Sequence, residues 1–242
     1  LKLLPDDYKQ SKASFTDVNL GIRYQFDEKN NIYFSGYYST DDFKLNSDTA
    51  YSYSNKNASI KWKHIFNNKI YGVFSTGVDR YEYNINSAVN PLTAYNLDFN
   101  INQSNLKTDF TYYLNNNHTI NFGLSSIYYK LNPGNFKPKG EESLVRPDLM
   151  PSEQALESAL YIGDKYDIGN NLSISAGLRY SLYNYLGPQT INNYAPGLPK
   201  TSVNLIDSVK YGNNKSIQTY HGPEIRLSAR YNLSDNFSVK AS

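Results

Sequence analysis

An all-β fold, a transmembrane antiparallel up-and-down β-barrel, is what this sequence predicts, on three observations. Apolar and polar residues alternate over stretches of a dozen or more, the period of two that marks a strand with one apolar and one polar face. The connections between those stretches alternate short and long, as in a bacterial outer-membrane barrel. Aromatic residues gather near both ends of the strands, where interfacial girdles lie. About ten strands are expected from the periodicity.

Leu1 to Ser14 has no clear period and is expected to be a loop. Phe15 to Phe26 then sets Val18, Leu20, Ile22 and Tyr24 against Asp17, Asn19, Gly21 and Arg23. Asp27 to Asn31 is a turn by composition, and Ile32 to about Lys44 is the next strand. A short loop near 45–50 leads to a strand over Tyr51–Phe66, with Ala58, Ile60, Trp62 and Phe66 together. Asn67-Asn68-Lys69 turns into Ile70–Ile85, where Tyr71 and Val73 compete with Ile70, Phe74 and Val78 for the apolar face. A loop around 86–96 precedes Leu97–Leu114, whose apolar phase moves from Phe99 and Ile101 to Leu106 and Phe110. Such a move predicts a bulge near Gln103–Asn105.

Asn115-Asn116-Asn117 turns into His118–Lys130, and Leu131–Met150 reads as a loop holding three prolines. The cleanest hairpin follows. Leu156, Leu160, Ile162, Tyr166 and Ile168 form one stripe before Gly169-Asn170-Asn171; Leu172, Ile174, Ala176, Leu178, Tyr180 and Leu182 form the next. Gly187 to about Ile217 is a longer loop, Gln218–Leu233 alternates again, and Ser234-Asp235-Asn236 turns into Phe237–Ser242. Strands of twelve to fifteen residues at ~40° tilt rise about 30–38 Å. That spans the ~25 Å apolar band of an outer-membrane barrel.

Composition narrows the function. Among 242 residues, Lys+Arg number 24 and Asp+Glu 22, a net charge of +2, which gives no electrostatic argument for nucleic acid. Mean hydropathy is −0.62, yet 24 tyrosines and long alternation argue for ordered strands rather than a solvated coil. Cys is 0, which excludes disulfides and thiolate chemistry. No enzymatic constellation stands out. His64, His118 and His221 are far apart without a second ligand at metal spacing. Asp41-Asp42 and Glu141-Glu142 are adjacent pairs poorly placed for two-carboxylate chemistry. No metal, no cofactor and no catalysis are expected.

Asp17-Val18-Asn19-Leu20 leading to Tyr33-Phe34-Ser35-Gly36-Tyr37-Tyr38 resembles early barrel strands of TonB-dependent outer-membrane receptors. So do Ala58–Phe66 with Asn68–Tyr71, Ala176–Tyr180, and Gly222–Tyr231. The resemblance covers nearly all of Phe15–Ser242 and is closest to the branch with an N-terminal carboxypeptidase-regulatory-like domain. It implies about ten strands of a barrel of about 22, a plug domain inside, and the TonB energy-coupling protein as partner. It also implies energised uptake of a scarce nutrient (siderophore, vitamin, glycan or peptide) across the outer membrane of a Gram-negative bacterium. Residues 1–242 read as part of one barrel domain. The ends read as cuts, with plug and signal peptide expected outside.

Two groups of residues are candidates for function. Asp17, Arg23, Glu157, Arg179, Glu224, Arg226 and Arg230 share the polar strand face. Arg facing lipid at the midplane costs ~2–4 kcal/mol, so this face is expected to be the lumen, lining a plug or ligand path. Asn192, Asn193, Tyr194 and Tyr211 lie in the long loop and are expected to contact a small-molecule or oligomeric ligand. A passive porin or adhesin, and a secreted all-β carbohydrate-binding protein, are the competing readings.

Overall fold

Asn and Asp side chains close the hairpins on which the fold is built. The computed structural model describes residues 11–45, 49–234 and 236–242. Its strands are β1 Lys12–Gln25, β2 Asn30–Lys44, β3 Thr49–Asn67, β4 Ile70–Ser87, β5 Tyr95–Tyr113 and β6 His118–Pro138. A two-residue β7 (Asp148–Leu149) follows, then β8 Glu153–Ile168, β9 Leu172–Leu186, β10 Gln189–Tyr194 and β11 Leu205–Tyr211. β12 Ser216–Ser234 and β13 Phe237–Ala241 complete the series. One antiparallel sheet runs β1-β2-β3-β4-β5-β6-β8-β9-β12-β13, with β7 beside β6, while β10 and β11 form a separate hairpin. The fold is all-β and up-and-down, as the alternation predicted. Among the described residues the outer edges of β1 and β13 have no strand partner.

At the short-turn end, one device recurs. Asp27 Oδ1 accepts from the amides of Lys29 and Asn30, both at 2.7 Å. Asn67 Oδ1 does the same for Lys69 at 2.8 Å and Ile70 at 3.2 Å, and Asn115 Oδ1 for Asn117 and His118 at 2.9 Å. Each side chain mimics the backbone acceptor of a turn. The β8–β9 turn uses Gly169 at φ +61 instead, a conformation that costs glycine nothing.

Register fixes the two faces. From β1 to β12 the row Tyr24, Ile32, Trp62, Phe74, Thr108, Leu124, Leu160, Tyr180 and Pro223 lies on one side. On this outer face an aromatic ladder crosses β3 to β6: Trp62–Phe74 at 5.1 Å, Phe74–Phe110 at 5.6 Å and Phe110–Phe122 at 5.1 Å. Such ring pairs add about 0.5–1.5 kcal/mol each beyond area burial. β4 therefore puts Ile70, Phe74 and Val78 outward and Tyr71 and Val73 on the opposite face, which resolves the competition in the sequence.

Nothing among the described residues covers the apolar face. Among the described residues the buried hydrophobics are Ala94, Ala155, Ala159 and Leu186, and no large side chain is fully buried. Leu160 and Ile225 are 66% and 73% exposed. Soluble chains of this length bury a core of large aliphatics and avoid extended apolar patches. A sheet ten strands wide with this face is made for a lipid surround.

Several expectations are corrected. β1 begins at Lys12, so residues 12–14 of the expected loop over 1–14 are strand, and residues 1–10 lie outside the described ones. The β4–β5 register is continuous through Gln103–Asn105, and no bulge lies there. Phe99 and Ile101 simply belong to the opposite face, paired with Tyr83 and Tyr81, while Leu106 and Phe110 face outward. The irregularity lies between Asp98 and Asn100, where β6 inserts Pro133-Gly134. A strand proline sits at such a bulge because it has no ladder hydrogen to lose. β6 thus runs to Pro138, and the expected loop over 131–150 shrinks to 139–152 around β7. The expected loop over 187–217 holds the β10–β11 hairpin. Aromatic residues at the long-loop ends of the strands are expected to form a girdle, but only some of them do: Tyr38 and Tyr128 face outward, while Tyr37, Tyr83, Tyr183 and Tyr185 face inward.

Candidate functional site

Alternation places all seven charged candidates on one polar face, but it does not bring all seven together. Asp17 accepts from the Tyr37 hydroxyl at 2.9 Å, and Arg23 lies 5.3 Å over the Tyr33 ring. Both belong to the β1–β2 edge. Arg230 donates to Asn232 at 3.0 Å close to the β12–β13 turn. Glu157, Arg179, Glu224 and Arg226 do converge.

Arg179 is the centre of that group. Its register partners are Tyr161 on β8 and Glu224 on β12. The guanidinium donates to Ser181 at 3.1 Å and Ser125 at 3.4 Å, and pairs with Glu157 at 3.7 Å and Glu224 at 3.6 Å. Ser181 also donates to Glu224, which pairs with Arg226 at 3.7 Å. Next to Arg179, Tyr161 donates to the Thr108 carbonyl at 3.1 Å and to Asp109, itself 2.8 Å from Lys107. Three cations and three carboxylates thus balance across β5, β8, β9 and β12. The long, half-exposed ion pairs are worth little in stability. They leave hydrogen-bonding capacity for a polar partner.

Sequence reading missed Lys107, Asp109, Ser125, Tyr161 and Ser181, because cross-strand partners lie tens of residues apart. The alternating Lys107-x-Asp109 pattern was the available signal. It also missed a partner for His118, which lies 2.6 Å from Asp164 and stacks on Tyr166 at 4.3 Å. Among the described residues no group of three or more His, Cys, Asp or Glu is arranged to hold a metal.

Above the charged cluster the same face becomes aromatic. Tyr53 stacks on Tyr83 at 5.0 Å, Tyr81 meets Phe99 at 6.2 Å, and Tyr183 meets Tyr220 at 6.3 Å. These rings lie on the inner face toward the long-loop end. The loop candidates stand on the β10–β11 hairpin and divide between its faces. Asn192 bonds Tyr194 at 3.4 Å and Ser208 at 2.7 Å on one side. Asn193, in phase with Gln189 and its partner Tyr211, lies on the other.

This sheet is shared with known proteins. A family model described as the β-barrel of TonB-dependent receptor-like proteins matches residues 5–242. No curated protein sequence matches. The ferric preacinetobactin receptor BauA of Acinetobacter baumannii is similar at TM-score 0.67 and 13% identity, over 97% of this chain and 40% of BauA. The open form of the ferric-catecholate import receptor Fiu of E. coli K12 gives 0.63 and 12%, over 97% of this chain and 47% of Fiu. The siderophore receptor PiuA of Acinetobacter baumannii gives 0.62 and 11%, over 97% and 42%. The chain thus spans less than half the length of these structures, and at such identities they share its fold. With the family model matched over nearly the whole chain, the chain belongs to the TonB-dependent receptor-like β-barrel family.

Proposed function

We propose that this chain is part of the barrel wall of an outer-membrane receptor that imports a scarce nutrient with energy delivered through TonB. The observation that carries the reading is the division of one ten-strand sheet into an apolar outer face and a charged and aromatic inner face. In this reading the short turns lie on the periplasmic side and the long connections outside. The inner face then lines the lumen, where Arg179, Glu157, Glu224 and Arg226 meet a plug domain or the ligand path. The Tyr53, Tyr81 and Tyr183 rings form the wall that a ligand passes first, below the β10–β11 hairpin. The ligand is a small molecule or short oligomer with polar and planar groups, in keeping with the siderophore receptors to which the sheet is similar.

The test is uptake by Gram-negative cells carrying the full-length gene, with and without the energy-coupling protein. Accumulation that needs the gene and is abolished by a protonophore supports the reading. Passive, protonophore-insensitive flux through the protein overturns it.

A further inference from the structure

Two charged clusters stand on the inner face, and only one of them is balanced. The group around Arg179 sets three cations against three carboxylates. The other, across β1 to β3, holds Arg23, Lys61 and Lys63, and among the described residues none of these is in an ion pair. Register puts Arg23, Tyr33 and Lys61 in one row, with Lys63 two residues nearer the short turn on the same face. The acids closest by register are engaged elsewhere: Asp17 by Tyr37, Asp79 by Asn57, and Asp109 by Lys107 and Tyr161.

Two of the cations are held in place without being neutralised. Arg23 lies 5.3 Å over the Tyr33 ring and donates to Asn31 at 3.4 Å. Lys63 lies 4.6 Å over the Tyr71 ring. A ring face attracts a cation but carries no net charge, so the positive field of the group stays open. Small residues make room before it. Gly21, Ser35 and Ser59 form the next row, and a Cβ at Gly21 would meet no atom within 4 Å. Here the inner face opens into a recess of about 620 Å³. Ser35 and Ser59 share one hydrogen bond at 2.7 Å, which leaves one of the two hydroxyl protons to donate.

We infer that Arg23, Lys61 and Lys63, with the Ser35 and Ser59 hydroxyls, bind a dissolved oxyanion, a phosphate or carboxylate group on a solute in the lumen. The inference rests on the receptor reading above, which makes this face the lumen wall. A recess lined by one sign of charge concentrates counter-ions. Guanidinium, ammonium and hydroxyl donors reaching in from three strands suit a group with several oxygens. The site lies nearer the short turns than the Tyr81 and Tyr83 rings, and it selects for charge where those rings select for planar groups.

The experiment titrates inorganic phosphate into the purified full-length protein in detergent at low salt, with binding read by calorimetry. Lys61→Gln/Lys63→Gln should weaken phosphate binding about a hundredfold, from roughly tenfold per charge-assisted hydrogen bond. Lys61→Arg/Lys63→Arg should retain it. Lys56→Gln/Lys130→Gln removes the same charge from the outer face and should change nothing. Wild type that binds no phosphate, or equal binding in the two Gln variants, overturns the inference. Carbodiimide treatment tests the occupant. An amide bond from Lys61 or Lys63 to a carboxylate elsewhere in the protein makes that acid the occupant and overturns the dissolved anion; no such bond, with phosphate binding intact, supports it. Flotation with neutral vesicles separates the two readings: a protein that does not float overturns both, and one that floats but binds phosphate no better than Lys61→Gln/Lys63→Gln overturns this one alone.

Discussion

Tyr161 on β8 lies across Gly123 on β6, its direct register partner, and reaches beyond it to the Thr108 carbonyl of β5 at 3.1 Å. A Cβ at Gly123 would meet the Tyr161 hydroxyl at 2.6 Å and collide with the Thr108 carbonyl oxygen. The missing side chain is what lets one tyrosine tie three strands together. Gly123→Ala is expected to destabilise by about 1–3 kcal/mol through overpacking. Tyr161→Phe is expected to cost about 1 kcal/mol in lost hydrogen bonds. Because both act on one contact, the double variant should fall short of the sum. Urea unfolding in lipid vesicles measures all three, and strict additivity would sink the account.

The turn device predicts a second effect. Asn67→Ala removes the acceptor for the Lys69 and Ile70 amides, and about 1 kcal/mol of stability should go with it. Asn67→Asp keeps the acceptor and should keep most of the stability. The same urea midpoints check it; equal losses in the two variants would remove the side-chain acceptor from the explanation.

Much of this was legible in the sequence, and the rest was not for identifiable reasons. Period two carries facing, so alternation alone assigns Leu172 to Leu182 and the seven charged residues to their faces. Register is not carried by period. Arg179 meets Ser125 and Glu224 only because β6, β8, β9 and β12 are neighbours in one sheet. The apparent bulge at Gln103–Asn105 came from reading every apolar residue as outward. Above the apolar band the rule inverts: Phe99 pairs inward with Tyr83 while Arg80 and Glu82 face out. The prolines of 131–150 and 187–217 likewise suggested unbroken loops and concealed the end of β6 and the β10–β11 hairpin.

Asp27 gives the pH dependence. The Asn30 side-chain amide, and then the backbone amide of Lys29, hold its carboxyl below the ordinary 3.8. Because the folded-state value is depressed, its stabilisation is present above the unfolded value and is lost as pH falls through the folded one. Asp27→Asn keeps the acceptor oxygen and removes the charge. Its stability should therefore lack the acid-sensitive increment that wild type loses below about pH 4. Parallel wild-type and variant stability curves through that range would contradict the assignment.

The Arg179–Glu224 pair is expected to contribute little. At 3.6 Å, with side chains 28% and 45% exposed, its coupling in a double-mutant cycle of Arg179→Ala and Glu224→Ala should stay under about 1 kcal/mol. Arg179→Ala should therefore leave the folded barrel intact while changing nutrient uptake by the full-length protein. A variant that fails to assemble in the membrane would make Arg179 a structural residue rather than part of the ligand or plug path.

Trp62 tests which face meets lipid. It lies on the outer face, 39% exposed, stacked on Phe74 and donating to Asn30 at 3.1 Å. Lys63, one residue on, points to the opposite face, because adjacent strand residues alternate. In vesicles with brominated acyl chains, the fluorescence lost on Trp62→Phe should be the part that bromine quenches. Moving the indole by one position, with Trp62→Phe and Lys63→Trp together, should exchange the behaviour. The new signal should escape the lipid quencher and respond to iodide in water. Equal lipid quenching at both positions would mean that the two faces do not divide lipid from lumen, and the barrel reading of this sheet would go with it.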